Sequence, residues 1–207
     1  MTTEFISVVI LLGIFIGFVE IVKRKFAIRS DTSRKIAHTG AALIAALTPL
    51  FLNKWEIIII GLGGAGFLYF TRRTIVLSSI HSVDRQTMGE VFFPIGVATC
   101  AYLFLPEHRI AFQFGILVMG ISDALAALIG EKFGKYTFTV FGGKKSAEGS
   151  FAFFLSCLVL LYFFVPNLSQ QSALIAVVLT VAEVLLTFGL DNLVIPVLGA
   201  YLIQFLL

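Results

Sequence analysis

The chemistry-bearing residues of this 207-residue chain concentrate between Gly120 and Ser150, where GISDALAALIGEKFGKYTFTVFGGKKSAEGS carries an aspartate on an apolar helix into a loop of glycine, lysine and serine. A carboxylate in hydrocarbon is costly and marks a working group by default. The loop beyond it offers backbone N–H groups at Gly142, Gly143 and Gly149, ammonium groups on Lys144 and Lys145, and hydroxyls on Ser146 and Ser150. Together these suit a polyphosphate. Glu148 adds an oxygen ligand of the hard type that magnesium prefers. A merely positive loop needs the lysines, but not the glycines, serine and glutamate packed around them.

Other polar residues fall at a matching depth. Asp123 lies seven residues before Gly130, and Glu183 eight before Asp191. At about 1.5 Å per residue, both carboxylates sit on the order of 10 Å inside their helix ends, the floor of a cavity open on one side. Glu20 and Glu90, at the ends of apolar runs, are as readily explained by pairing with basic residues there. In SRKIAHTG, Arg34 and His38 share a helical face with Lys35 beside them, suited to an anionic group at the membrane boundary. LDNLVIP places the turn-favouring pair Asp191 and Asn192 ahead of Pro196. Ala126, Ala127 and Gly130 follow Asp123 at i+3, i+4 and i+7 and let a second helix or a ligand approach.

Positioning these groups falls to membrane helices. With 58% hydrophobic residues, 22 Phe, only 13% charged residues and a mean hydropathy of +1.00, the chain reads as an integral membrane protein. Apolar windows at about 4 to 22, 36 to 52, 55 to 71, 89 to 105, 110 to 130, 150 to 166, 172 to 190 and 193 to 207 predict an all-α, multi-pass bundle of about eight transmembrane helices. The connections are short and lack a Pro/Gly/Ser linker, so residues 1–207 read as a single transmembrane domain.

Lys and Arg are retained in cytoplasmic loops. Six lie between the first two windows (Lys23, Arg24, Lys25, Arg29, Arg34, Lys35), three between the third and fourth (Arg72, Arg73, Arg85) and four between the fifth and sixth (Lys132, Lys135, Lys144, Lys145). Only Lys54 and Arg109 occupy alternate loops, so the phosphate-suited loop is expected on the cytoplasmic side. The net charge of +3 is then topological and calls for no nucleic acid. The first apolar run has only Glu4 before it and its positive cluster after it, the reverse of a secretory signal, and reads as a retained helix. Cys100 and Cys157 fall inside windows without metal-ligand spacing and read as core. GLGGAG at 61–66 has no strand before it and reads as packing glycine.

Taken in order, these segments resemble the CTP-dependent lipid kinases, the family of dolichol, polyprenol and phytol kinases. SRKIAHTG is similar to the family's Arg-Lys-x-x-His segment, RQTMGEVFFPIG to its mid-chain glycine-bearing segment, and SDALAALIGEKFGK to its Asp-x-x-Ala-x-x-x-Gly helix. GGKKSAEGS is similar to the Lys-Ser-x-Glu-Gly loop associated with CTP, and EVLLTFGLDNLVIP to the closing Glu and Asp-Asn-x-x-x-Pro. The short chain looks closer to the compact, phytol-kinase-like members. The resemblance implies transfer of the γ-phosphate of CTP to the hydroxyl of a membrane isoprenoid alcohol, with magnesium. On that reading Lys144, Lys145, Ser146 and the amides near Gly143 and Gly149 cradle the triphosphate, and Arg34, Lys35 and His38 meet an anionic group. Asp123 and Glu148 hold magnesium, Asp123 or Glu183 accepts the alcohol proton, and Asn192 orients phosphate or metal.

Two other classes stay open on the residues. A CDP-lipid synthase uses similar parts but attacks the α-phosphate of CTP with a phospholipid phosphate and releases pyrophosphate. A transporter also buries carboxylates, although here the polar residues gather toward one side and no inverted repeat is evident. The partition of basic residues has a direct test. Single cysteines at Ser79 and Thr139 are expected to react with an impermeant thiol reagent only from the cytoplasmic side, and one at Ser169 only from outside. Labelling of Thr139 from outside reverses the topology.

Overall fold

The structure, a computed structural model, describes residues 2–72, 77, 79–80, 87–165, 167 and 169–207. All eight apolar windows fall largely on helix. These are α1 Thr3–Phe26, α2 Ser30–Leu47, α3 Lys54–Thr71 and α4 Gly89–Phe104, then a rod of α5 Arg109–Leu117, a π-helical turn Val118–Ser122 and α6 Asp123–Phe133, then α7 Ala147–Phe164, α8 Gln170–Leu185 and α9 Asp191–Ile203. Arg73 and Arg85, counted above among the basic residues, lie outside the described residues, as do Gln86 and Leu168. By length and composition, Thr3–Phe26, Arg109–Phe133 and Ala147–Phe164 can each cross a membrane, while α4, α8 and α9 are shorter apolar helices. Ile6, Ile10, Ile14 and Phe18 recur every four residues along α1, each more than half exposed. A stripe of that kind belongs to a helix whose outer face meets hydrocarbon.

The rod containing Asp123 is central, with Phe112, Phe114, Ile116 and Met119 fully buried. Around it α5 packs on α9, α6 on α7, α4 on both α3 and α9, and α1 on α2. The π turn just before Asp123 sets which way the aspartate faces, because an extra residue per turn rotates all that follows and leaves backbone groups off the regular ladder. One face of α2 docks there. Thr39 Oγ1 donates to the Gly120 carbonyl at 2.8 Å, His38 Nε2 lies 2.9 Å from Met119 Sδ, and Gln113 Nε2 donates to the Ala46 carbonyl at 3.0 Å.

The segment expected to be a glycine-rich loop is instead a β-hairpin, β1 Thr137–Val140 and β2 Gly143–Ser146, antiparallel with Phe138 opposite Lys145 and Thr139 opposite Lys144. Among the described residues it is the sole departure from the expected all-α fold. Its two-residue turn has φ of 44° at Phe141 and 82° at Gly142, the pair of positive values whose twist suits a tight hairpin. Glu148 closes the base, accepting the Lys135 N–H at 3.0 Å and the Tyr136 N–H at 3.3 Å. Ser146 caps α7 by accepting the Gly149 N–H at 3.1 Å.

Ser79 is buried, its N–H donating to Glu20 Oε2 at 2.7 Å and its carbonyl accepting from Ser33 Oγ. A cysteine there is shielded from reagent, which leaves exposed Thr139 to report that side of the membrane.

Gly149 is buried where α7 crosses α6: a Cβ there would stand 2.7 Å from the Ala126 carbonyl oxygen and 3.3 Å from Gly130 Cα. Gly149→Val therefore forces the helices apart and is expected to cost about 1–3 kcal/mol, read as a lower unfolding midpoint in detergent. Gly66→Ala, whose Cβ meets nothing within 4 Å, is expected to be neutral or stabilising.

Candidate functional site

Three chain reversals bring the polar residues together. The hairpin turns the chain from α6 back into α7 and presents Lys145 to the end of α8. There Lys145 Nζ donates to the Glu183 carbonyl at 2.8 Å and forms an ion pair with Glu183 Oε1. Both side chains are withdrawn from solvent, 17% exposed for Lys145 and 5% for Glu183. The second carboxylate oxygen, Glu183 Oε2, is buried without a hydrogen-bond partner.

The α8–α9 turn is the second reversal. Phe188 and Gly189 both take positive φ, 58° and 89°, and a Cβ on Gly189 would run into the backbone of Gly89. Glycine is required at that crossing. It lets Met88 N–H donate to the Phe188 carbonyl at 3.2 Å and Asn192 Nδ2 to the Gly89 carbonyl at 2.9 Å. The start of α9, with Asp191, is thereby pinned beside the start of α4. At the third junction Arg72 Nε pairs with Glu90 Oε1 at 2.8 Å and Arg72 Nη2 donates to the Thr87 carbonyl at 2.7 Å, holding the end of α3 to the start of α4.

These elements enclose a cavity of about 1320 Å³. Asp123, Glu183, Arg34, Lys35, His38, Gly143, Lys144, Lys145, Ser146, Gly149 and Asn192 all line it. The expected metal ligand Glu148 does not, because its carboxylate is taken up by the amides at the hairpin base. Other expected residues have partners within the fold. Asn192 clamps Gly89, Gly149 serves the α6–α7 crossing, and the His38 ring packs at 4.5 Å and a 56° tilt against Phe93 while its Nε2 faces Met119. Lys35 pairs with Glu131 at 2.5 Å, and Arg34 with Asp31 at 3.4 Å. Glu20, treated above as a helix-end residue, pairs with Arg24 at 2.7 Å and is not among the residues lining the cavity.

Sequence reasoning passed over Asp191 as a turn former. It lines the same cavity as Asp123, Glu183, Lys145 and Lys35. The signal was present: the eight-residue spacing from Glu183 ends on Asp191, directly before the Asn that was singled out. Two carboxylates lining one cavity with Lys145 disfavour each other's charge and favour a cation there. Among the described residues no three His, Cys, Asp or Glu side chains converge tightly enough to hold a metal by themselves. Magnesium does not require that, since one or two carboxylates commonly hold it with phosphate oxygens and water.

Fold and site define a helical membrane protein whose carboxylates and lysines line one end of a cavity with largely apolar walls. The phytol kinase of Synechocystis sp. is 31% identical over 201 residues, covering 93% of this chain and 86% of that protein. An uncharacterized protein of Methanocaldococcus jannaschii is 35% identical over 116 residues, 56% of this chain and 58% of that one. No protein-family profile matches the chain, and no solved structure matches it. The chain belongs to the phytol kinase family.

Lys145 and Glu183 give a test that needs no substrate. Removing one member of a buried pair leaves the other charge uncompensated, at a cost of about 3–5 kcal/mol. Lys145→Ala is expected to lower the unfolding midpoint clearly, and Lys145→Ala with Glu183→Gln to recover much of the loss. A double variant no more stable than Lys145→Ala alone shows that the pair is not what holds the hairpin to α8.

Proposed function

We propose that this protein transfers the γ-phosphate of CTP to the hydroxyl of an isoprenoid alcohol of the phytol, polyprenol or dolichol type. The proposal includes a single domain of about eight spans with its site on the cytoplasmic side. The observation that carries it is the joining, in one cavity, of Lys145, Asp123, Asp191 and Glu183 to walls of apolar side chains. An amphiphile with a reactive head and a hydrocarbon tail matches that division. The kinship to a phytol kinase supports the same reading.

The chain's own residues take these roles. Lys145 and Lys144 neutralise the phosphates, Lys145 exchanging its contact with Glu183 for one with the nucleotide. Ser146 and the Gly143 amide are assigned to the phosphate oxygens. Asp123 and Asp191 are the groups suited to hold magnesium, which supplies charge neutralisation on the phosphates when bound. Glu183, whose Oε2 is unpartnered, or Asp123 accepts the alcohol proton. The alcohol oxygen forms its bond to the γ-phosphorus as the bond to the bridging β-γ oxygen breaks, and CDP leaves. Such a transfer relies on alignment and charge neutralisation. The apolar walls keep competing water from the hydroxyl.

Purified protein given CTP, ATP, GTP and UTP with phytol, farnesol, polyprenol, dolichol and diacylglycerol is expected to yield a lipid monophosphate and CDP. A CDP-lipid with pyrophosphate indicates a cytidylyltransferase instead. Asp123→Asn and Asp191→Asn are each expected to lower turnover about a thousandfold while the protein still inserts and folds. Glu20→Gln is expected to keep most activity.

A further inference from the structure

The cavity does not end at the carboxylates. It continues as an apolar arm between the α1–α2 pair and the α3–α4 pair, with Phe5, Gly13, Thr48, Ile57 and Gly63 among its walls. At the far end the two helix pairs are tied together. The N–H and hydroxyl of Thr2 both donate to Glu56 Oε1, at 3.2 and 2.8 Å, tying the start of α1 to the start of α3. Phe5 and Ile57 lie close to that tie along their helices, only 6% and 2% exposed.

Three walls give the same length. Eleven residues separate Ile16 from Phe5 along α1 and Leu68 from Ile57 along α3, and ten separate His38 from Thr48 along α2. At about 1.5 Å per residue each wall runs about 15–17 Å. An extended hydrocarbon advances about 1.25 Å per bond of about 1.5 Å, so the arm takes roughly twelve bonds, about three isoprenoid units. A further unit and the hydroxyl fit beside the carboxylates.

Between the floor and the chamber, Gly13 and Gly63 line the arm eight residues from Phe5 and six from Ile57, and a Cβ on either would meet nothing within 4 Å. Glycines at a packed helix crossing behave differently: at Gly149 the neighbouring helix fills the space a side chain would need. At Gly13 and Gly63 the absent side chain leaves room instead of contact.

We propose that the arm is a closed-ended seat for the tail of an isoprenoid alcohol of about three to four units, and that Gly13 and Gly63 set chain-length preference by keeping its inner half open. This rests on the alcohol-kinase reading above. Alcohols much longer than the arm must leave part of the tail outside and gain little from the seat.

Gly63→Leu and Gly13→Leu fill open space, so both are expected to fold, checked by detergent gel filtration and unfolding midpoint. Turnover with ten-carbon and twenty-carbon isoprenoid alcohols is compared with wild type. The twenty-carbon to ten-carbon ratio of kcat/KM is expected to fall at least about tenfold in each variant, since apolar pockets discriminate by factors of this order for even small losses of room. A ratio unchanged in both variants overturns the proposal. Binding is read separately with a twenty-carbon alcohol carrying a diazirine at its tail end. In wild type it is expected to label the Phe5 and Ile57 turns, and in Gly63→Leu to lose that labelling. Labelling confined to the outer stripe of α1 at Ile10 and Ile14 overturns the seat. If the floor is labelled but no nucleotide phosphorylates any alcohol, the seat stands and the kinase reading fails.

Discussion

A carboxylate buried in an apolar bundle persists only where a cation and hydrogen bonds replace the water it has lost. At Glu183 the replacement comes from Lys145, and much of the surrounding architecture serves to deliver that one ammonium. Lys145 is not on a helix. It sits on the second strand of a hairpin, and its approach to α8 depends on the strand register, on a turn with two positive φ values, and on the Glu148 carboxylate clasping the hairpin base. Slippage by one residue would exchange Lys145 for Lys144, because neighbouring strand side chains point to opposite faces. The pair thus fixes the hairpin to the bundle, and the hairpin brings its glycine, lysine and serine residues over the carboxylates.

Much of this was legible in the sequence, and the parts that were not share a cause. The helices could be read because each apolar window is a long local signal. The lining of the cavity by Asp123, Glu183 and the Lys144–Lys145 segment could be read because charge placed in hydrocarbon has few innocent explanations. The hairpin was missed although TFTV offers β-branched and aromatic residues: a four-residue strand gives too short a pattern to outweigh a run of glycine and lysine that suggests a loop. Glu148 was misplaced for a related reason. Its chemistry suits a metal, but the first turn of α7 and the hairpin base leave unpaired amides that a nearby carboxylate satisfies first. Asp191 shows the reverse error, since a turn-forming aspartate and a cavity-lining one are identical in sequence and differ only in what the turn packs against.

The π turn before Asp123 was not visible at all. No residue type announces it, and α2 meets it directly: Thr39 takes the Gly120 carbonyl, and His38 and Met119 meet beside it. The SRKIAHTG segment therefore has two sides. Its basic residues border the chamber, and its small and hydroxyl residues hold the central rod at the rotation that turns Asp123 inward. A segment can be tied to a polar site through the second task as much as the first.

Glycine does opposite work at the two ends of the cavity. Near the chamber, Gly149 and Gly189 let backbones approach until no side chain fits, which makes the polar end rigid. Along the apolar arm, Gly13 and Gly63 put no side chain into the space they border. Rigidity and vacancy are both needed if a flexible, apolar tail is to be held while its polar head is aligned among charges. The tail contributes binding through area removed from lipid or water and tolerates imprecision, whereas phosphoryl transfer tolerates very little. On the proposed reading, close-packed glycines at the head and open glycines at the tail would divide those demands between two ends of one cavity.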